Sequence, residues 1–334
     1  MKILFIGNTF GNSYLELLTI KKLCKNVDKI DLKGSFTRNK VFLFLFYKFT
    51  PKLFEPIINR YVKSKLKKKN YDLIYVKSGE FIGKKLILIL RKKTKKIVYY
   101  CEDNPFVKRD QQRWKLFLTA ARYYDLLIFH QESRIKLSKK FNLKNTFLTL
   151  PPYDSQVHRK KNSQINKKKN DVVFIGTWFP ERGIFFTKLI KLGLNIKIYG
   201  TGWTKDPNYN YLKSSVYLGH VGYKKYGRII QNSKIALALF SDQNEDSITR
   251  RVSEITAIGT LLCSYKTKTM TKNFIENREV IYFRTAKECH RKCNYYLKND
   301  KLSKKIALNG KYKTTKILKI NNYELIKKII KKVS

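Results

Sequence analysis

The sequence predicts an α/β protein made of two Rossmann-like, doubly wound domains facing a central cleft. Three observations predict it. Short, continuously apolar runs alternate with amphipathic helical patterns, as parallel strands do when helices cover both faces of their sheet. The alternation breaks once, at Pro151-Pro152 and the polar, basic stretch 158–170, and then starts afresh. The 334 residues exceed the roughly 150 of an ordinary domain, and a 43% hydrophobic content supplies two cores. The expected divisions are therefore 1–157, a linker at 158–170, 171–318, and a C-terminal helix at 319–334 that can cross back to the first half.

In the first half the expected strands are 3–6, 72–76, 97–101, 125–129 and 146–150, with helices over 13–24, 85–91, 111–123 and 132–141. Residues 39–70 mix Phe42, Phe44, Phe46, Phe49, Leu53 and Phe54 with a basic tail, Lys63-Ser-Lys-Leu-Lys-Lys-Lys69. That composition suits either a helix lying on an anionic membrane surface or a core-packed helix with a solvated lysine face. The second half opens with a strand at 172–175, the loop from Gly176 to Gly183, and a helix to 191. A strand at 195–199 ends in Gly200-Thr-Gly202-Trp203, and a helix at 224–231 precedes a strand at 235–240. The helix over 247–258 stops at Gly259, with strands at 261–264 and 280–283 beyond it. Helices at 286–297, 302–313 and 323–332 close the series, the last with Leu325, Ile326, Ile329 and Ile330 on one face.

The net charge of +48 comes from 72 basic and 24 acidic residues, and 57 of the basic residues are lysine. Lysine dominates and is spread along the whole chain, whereas nucleic-acid surfaces concentrate charge and favour the arginine fork, so nucleic acid is disfavoured as partner. An anionic membrane surface or an acidic glycan asks only for lysine. The five cysteines are odd in number and scattered, which points to a reducing compartment without a disulfide framework. Cys289-His290-x-x-Cys293 lacks a second ligand pair, so no metal is expected. The first residues read as a strand and not a signal peptide, and the longest apolar run, 41–47, cannot span a bilayer needing about 20 residues. A cytoplasmic protein, peripheral at the inner face of the membrane, is the expectation.

Candidate site residues lie where strands run into helices. Thr249, Arg250 and Arg251 fall in the first turn of one helix, where unpaired N–H groups and the helix dipole favour an anion. Glu254 stands one turn below, three residues after Arg251. This suits a nucleotide diphosphate with a hydroxyl beside it, or equally an intrahelical ion pair. Gly7, Asn8 and Gly11 form the first strand–helix loop, though the dinucleotide fingerprint is absent. Thr177 and Arg182 occupy the matching loop of the second half, and Gly200 with Trp203 could offer a turn and a ring for a base to stack on. Asp103 and His130 end first-half strands and are the candidates for a general base.

The order of these motifs resembles the CgeB-like glycosyltransferases, of the broad GT-B superfamily. The matching pieces are Val173-Phe-Ile-Gly-Thr177 with Glu181-Arg182, Ile198-Tyr-Gly-x-Gly-Trp203, Leu218-Gly-His-Val-Gly222 with Tyr226, and Asn232-Ser-Lys-Ile-Ala236. Thr249-x-Arg251-x-x-Glu254-x-x-Ala257-x-Gly259 and Asn277-Arg-Glu279-Val280 follow, with Ser253 where the family usually has an aromatic. Cys101-Glu-Asp-Asn-Pro-Phe106 and Tyr124-Asp-Leu-Leu127 match more loosely. The resemblance implies a GT-B fold and a nucleotide-diphosphate sugar held by the second domain. It also implies a glycan or lipid-linked acceptor on the first, no metal, and Glu254 on the donor ribose. Asp246 stands eight positions earlier, where related enzymes carry another acid. A polyanion-binding protein and a GT-B scaffold without catalysis are the rival expectations.

Overall fold

A computed structural model describes residues 1–37, 39–107, 110, 112–158 and 168–333; residues 159–167 of the expected linker and Gln111 of an expected helix lie outside them. The chain forms two compact units. Unit 1 comprises Met1–Leu150, Ser241–Asp246 and Asn322–Ser334, and unit 2 comprises Pro151–Phe240 and Ser247–Asn321.

Unit 1 begins β1 (Lys2–Ile6), α1 (Gly11–Leu23), β2 (Asn26–Ile30), α2 (Leu32–Thr37), α3 (Lys40–Lys48) and α4 (Pro51–Lys65). It continues β3 (Leu73–Lys77), α5 (Lys84–Arg91), β4 (Ile97–Tyr100), α6 (Lys115–Ala120), β5 (Leu126–Phe129), α7 (Glu132–Lys140) and β6 (Thr146–Leu148). The sheet order is β2-β1-β3-β4-β5-β6, all parallel. β3, β4 and β5 are buried along their length, which is why they read as continuous apolar runs. β2 is an addition to the expected strands: Asn-Val-Asp-Lys-Ile is an edge strand buried only at Ile30, so it carries no such run. The stretch 39–70 forms two helices, each started locally, Asn39 accepting from the Phe42 N–H and Pro51 filling the first position of α4.

Unit 2 runs β7 (Asn170–Ile175), α8 (Pro180–Lys191), β8 (Ile196–Gly200), α9 (Tyr209–Leu212), β9 (Val216–Leu218), α10 (Tyr223–Gln231) and β10 (Ser233–Ala238). Then come α11 (Arg250–Ile258), β11 (Leu261–Tyr265), α12 (Lys268–Asn273), β12 (Ile281–Phe283), α13 (Ala286–Lys298) and α14 (Asp300–Tyr312). Its sheet is parallel in the order β12-β11-β10-β7-β8-β9. Gly259, in the left-handed region at φ 85°, stops α11 as the sequence suggests. Residues 151–158, expected in the first half and the linker, belong to unit 2, and His158 is 2% exposed there. The final helix, α15 (Asn322–Val333), belongs to unit 1. Its Leu325, Ile326, Ile329 and Val333 share a core with Leu17 and Ile20 of α1 and with the strands β1, β3, β4 and β5.

Candidate functional site

In unit 2 the strand order turns at β7: β8 and β9 lie to one side, β10 to β12 to the other. Ligands of open α/β sheets bind at such a switch point, outside the carboxyl ends of the strands. Here the loops leaving β7 and β10 lead to the starts of α8 and α11.

The first loop is locked. Gly176 donates its N–H to the Tyr199 carbonyl at 2.9 Å, and Trp178 donates to Thr201 at 2.9 Å. A Cβ on Gly200, whose φ is 151°, would stand 2.0 Å from the Gly176 carbonyl oxygen, so the two strand ends touch only because residue 200 carries no side chain. Arg182 bends back over this loop. Its Nη1 donates to the Thr177 carbonyl at 2.7 Å, and its guanidinium lies 4.7 Å from the Phe179 ring centroid. The Trp178 indole donates to Asp206 at 2.7 Å, a partner the sequence did not suggest.

Trp203 requires a correction. Its ring, offered by the sequence to a base, is fully buried among Phe174 and Phe186, and its indole N–H donates to the Gly176 carbonyl at 3.0 Å. The ring packs beneath the glycine loop, inside the core of unit 2.

The second loop ends at Thr249, the extended residue before α11. Its hydroxyl oxygen is buried and has no hydrogen-bond partner among the described residues. Arg251 and Glu254 form the pair their spacing predicts, with Nη1 2.7 Å from Oε2. The carboxylate is 1% exposed, while the Arg251 guanidinium lies 4.1 Å over the Tyr226 ring. Burial alone would lower the Arg251 pKa, but Glu254 and Tyr226 raise it above its ordinary value, so the charge is permanent. On the other side of Glu254 stands His158, with Nε2 3.8 Å from Oε1. Its Nδ1 accepts the Asp154 N–H at 3.0 Å. Burial lowers the His158 pKa, Glu254 opposes this, and Arg250 adds to it, so the ring is held neutral. Ser253, in place of the resembling family's aromatic, is buried and donates to the Pro151 carbonyl, a contact that a large ring would block.

The remaining candidates lie in unit 1. Gly7 packs where a Cβ would stand 2.8 Å from the Lys77 Cβ, and Gly11 has φ 59° with open space around it. The Asn8 Oδ1 is buried without a partner among the described residues. Asp103 is 37% exposed and pairs with Arg113 at 3.2 Å, which also meets Glu80 and Asp110 at 3.1 Å each. His130 is corrected as a general base: it is 3% exposed, and both ring nitrogens are engaged. Nδ1 donates to the Thr149 carbonyl at 2.9 Å, which leaves Nε2 to accept the Tyr100 hydroxyl at 2.7 Å. Asp246 accepts from the fully buried Arg134 at 2.8 Å and from Asn244 at 2.7 Å. Lys77 sits between Glu16 and Glu102, 2.9 Å from each. Neither Arg134 nor Lys77 is among the candidates read from the sequence, since each finds its acid far away along the chain.

Among the described residues, one group could hold a metal ion: Cys263, Cys289 and Cys293, all buried, with sulfurs within 4.8 Å of one another. Cys263 comes from β11 and the other two from α13, inside the apolar core, where burial pushes the Cys263 thiol up.

Residues 182–323 match the family model described as Glycosyl transferase-like. No curated protein matches the chain. Among solved structures, sucrose-phosphate synthase from Thermosynechococcus elongatus is similar at a TM-score of 0.72 and 12% identity, over 100% of this chain and 99% of that one. Anabaena HepE in complex with UDP-glucose is similar at 0.66 and 13% identity, again over 100% and 99%. A glycosyltransferase from Rickettsia africae gives 0.60 and 10% identity over 99% and 97%. The two parallel six-stranded sheets with flanking helices are those of the GT-B fold.

Proposed function

We propose that the chain is a CgeB-like hexosyltransferase that moves a sugar from a nucleotide-diphosphate sugar to an envelope glycan, a lipid-linked glycan or another acceptor. The observation that carries this reading is the start of α11. There a buried, unpartnered Thr249 hydroxyl and the first amides of a helix N-terminus stand in one turn with a permanently charged arginine. Glu254 holds that arginine and offers a second carboxylate oxygen to a ribose hydroxyl. The match of residues 182–323, which contain all of α11, supports it, and HepE was crystallised with UDP-glucose.

As the sugar–phosphate bond breaks, negative charge grows on the departing diphosphate. Fixed N–H groups and Arg251 meet that charge without reorganising, which is the usual source of most of the rate enhancement. Arg182 contributes by holding the 177–179 loop. On the acceptor side Asp103 is the better of the two candidate bases, being part-exposed. We assign no metal to this chemistry, since side chains and helix starts supply the positive charge.

The test is calorimetric binding of UDP, GDP, CDP, ADP and dTDP at low and moderate salt. One diphosphate, UDP first, should bind selectively and survive salt, and Thr249→Val should weaken it about tenfold, the worth of one hydrogen bond to a charged group. Arg251→Ala should abolish transfer while also lowering stability, because it strands Glu254; adding Glu254→Gln should restore stability and not transfer. Turnover should persist in EDTA. Uniform binding that vanishes with salt would leave a polyanion-binding protein, and selective binding without turnover a catalytically inactive scaffold.

A further inference from the structure

The helices α3 and α4 of unit 1 have two apolar faces where a core-packed helix needs one. The inner face, with Phe46, Ile58 and Val62 fully buried, packs against Phe81 and the rest of the core. The outer face carries Val41, Phe44, Leu45, Phe49, Leu53 and Ile57, each leaving between 36% and 72% of its surface exposed. The spacing 41–44–45 in α3 and 53–57 in α4 puts them on one outward stripe of each helix. The α3 stripe runs on into the turn before α4, with the Phe44 and Phe49 rings 6.3 Å apart. Lys48 lies 5.0 Å over the Phe44 ring, its stem on the apolar surface and its charge outward.

The surroundings are basic. From 40 to 69 the sequence has nine lysines and arginines and one acid, Glu55. A groove of about 400 Å³ along α4 is lined by four cations, Lys52, Arg60, Lys63 and Lys85, and by one acid, Glu55, which also lies beside Gly83 at the start of α5.

We propose that the α3–α4 face docks on an anionic lipid bilayer, the apolar stripe entering the acyl boundary and the basic groove taking lipid phosphates. Charge decides the occupant. A second copy would bring the same cations against these, at a net charge of +48 per chain, whereas an anionic surface complements them. A soluble polyanion would leave the six apolar side chains in water. No described helix is long and apolar enough to cross a membrane, so the pair lies in the interface plane. The inference stands on this surface alone and does not depend on the proposed transfer activity.

The test is flotation of the full chain with phosphatidylcholine vesicles, with and without phosphatidylglycerol. Binding should require phosphatidylglycerol. The variant Phe44→Ser/Leu53→Ser/Ile57→Ser should lose about tenfold or more in partitioning, and Lys48→Glu/Lys52→Glu/Arg60→Glu a similar factor, each with an unchanged melting temperature. A serine variant that floats like the parent would overturn the proposal and leave simple adsorption of a basic protein. Equal binding to neutral vesicles, or a dimer in sedimentation that the serine variant disperses, would overturn it as well.

Discussion

At Gly200 the chain tolerates no side chain. Its φ of 151° and the Gly176 carbonyl 2.0 Å from any Cβ add backbone strain to a steric clash. Gly200→Ala should therefore cost about 3 kcal/mol or more, read as a fall in melting temperature, and should loosen the loop that Trp203 and Arg182 hold. A variant melting like the parent would show that the strand ends can part freely. The turn was legible, since Gly-Thr-Gly follows a strand, but the close approach of another strand end was not. What a side chain at 200 would meet is the Gly176 carbonyl, 27 residues before Trp203. The Arg251–Glu254 pair was legible because helical spacing alone sets it. His158, Lys77 and Arg134 were not, because their acids lie 96, 61 and 112 residues away and no local pattern records such distances.

At the scale of the element, α11 is the helix most burdened with polar groups: Arg250, Ser253, Glu254 and Thr256 are all buried. Its partners come from α10 through Tyr226 and from the 154–158 turn through His158, whose ring the Asp154 N–H holds. This makes its packing pH-sensitive in one direction. His158 has a folded pKa below its ordinary value of about 6.5, so the unfolded chain binds the proton more readily. The stability it confers is complete above that value and is lost as pH falls below it. Melting of wild type and His158→Gln should diverge only below about pH 6.5, wild type losing more; parallel curves would mean that the ring titrates freely. Strands and helices of the interior were read from sequence because burial on both faces leaves long apolar runs. The edge strands β2 and β9 were missed, since each keeps most of its residues part-exposed or exposed.

At the scale of the whole molecule, +48 charges repel within one fold. Salt screens them, the Debye length being about 10 Å at 0.1 M, so the melting temperature should rise between low and moderate ionic strength. A flat response would mean that the excess cations stand far enough apart in water for their repulsion not to limit stability. The two-sheet architecture was visible in the alternation of the sequence, and the last helix was expected to cross back to the first half, but which strands and helix it covers was not legible, since amphipathicity shows that α15 has a partner without showing which. That assembly has a consequence for biosynthesis. Unit 1 is encoded on both flanks of unit 2, and Leu325, Ile326, Ile329 and Val333 complete a core begun by β1 and α1. Domains generally mature on the ribosome in the order in which they are translated. Here the second sheet can close while the first still waits, its apolar surface open, for a helix translated long after the strands it covers. Nascent unit 1 is thus a natural client for a chaperone, and a message truncated before α15 would yield a finished second unit joined to an unfinished first.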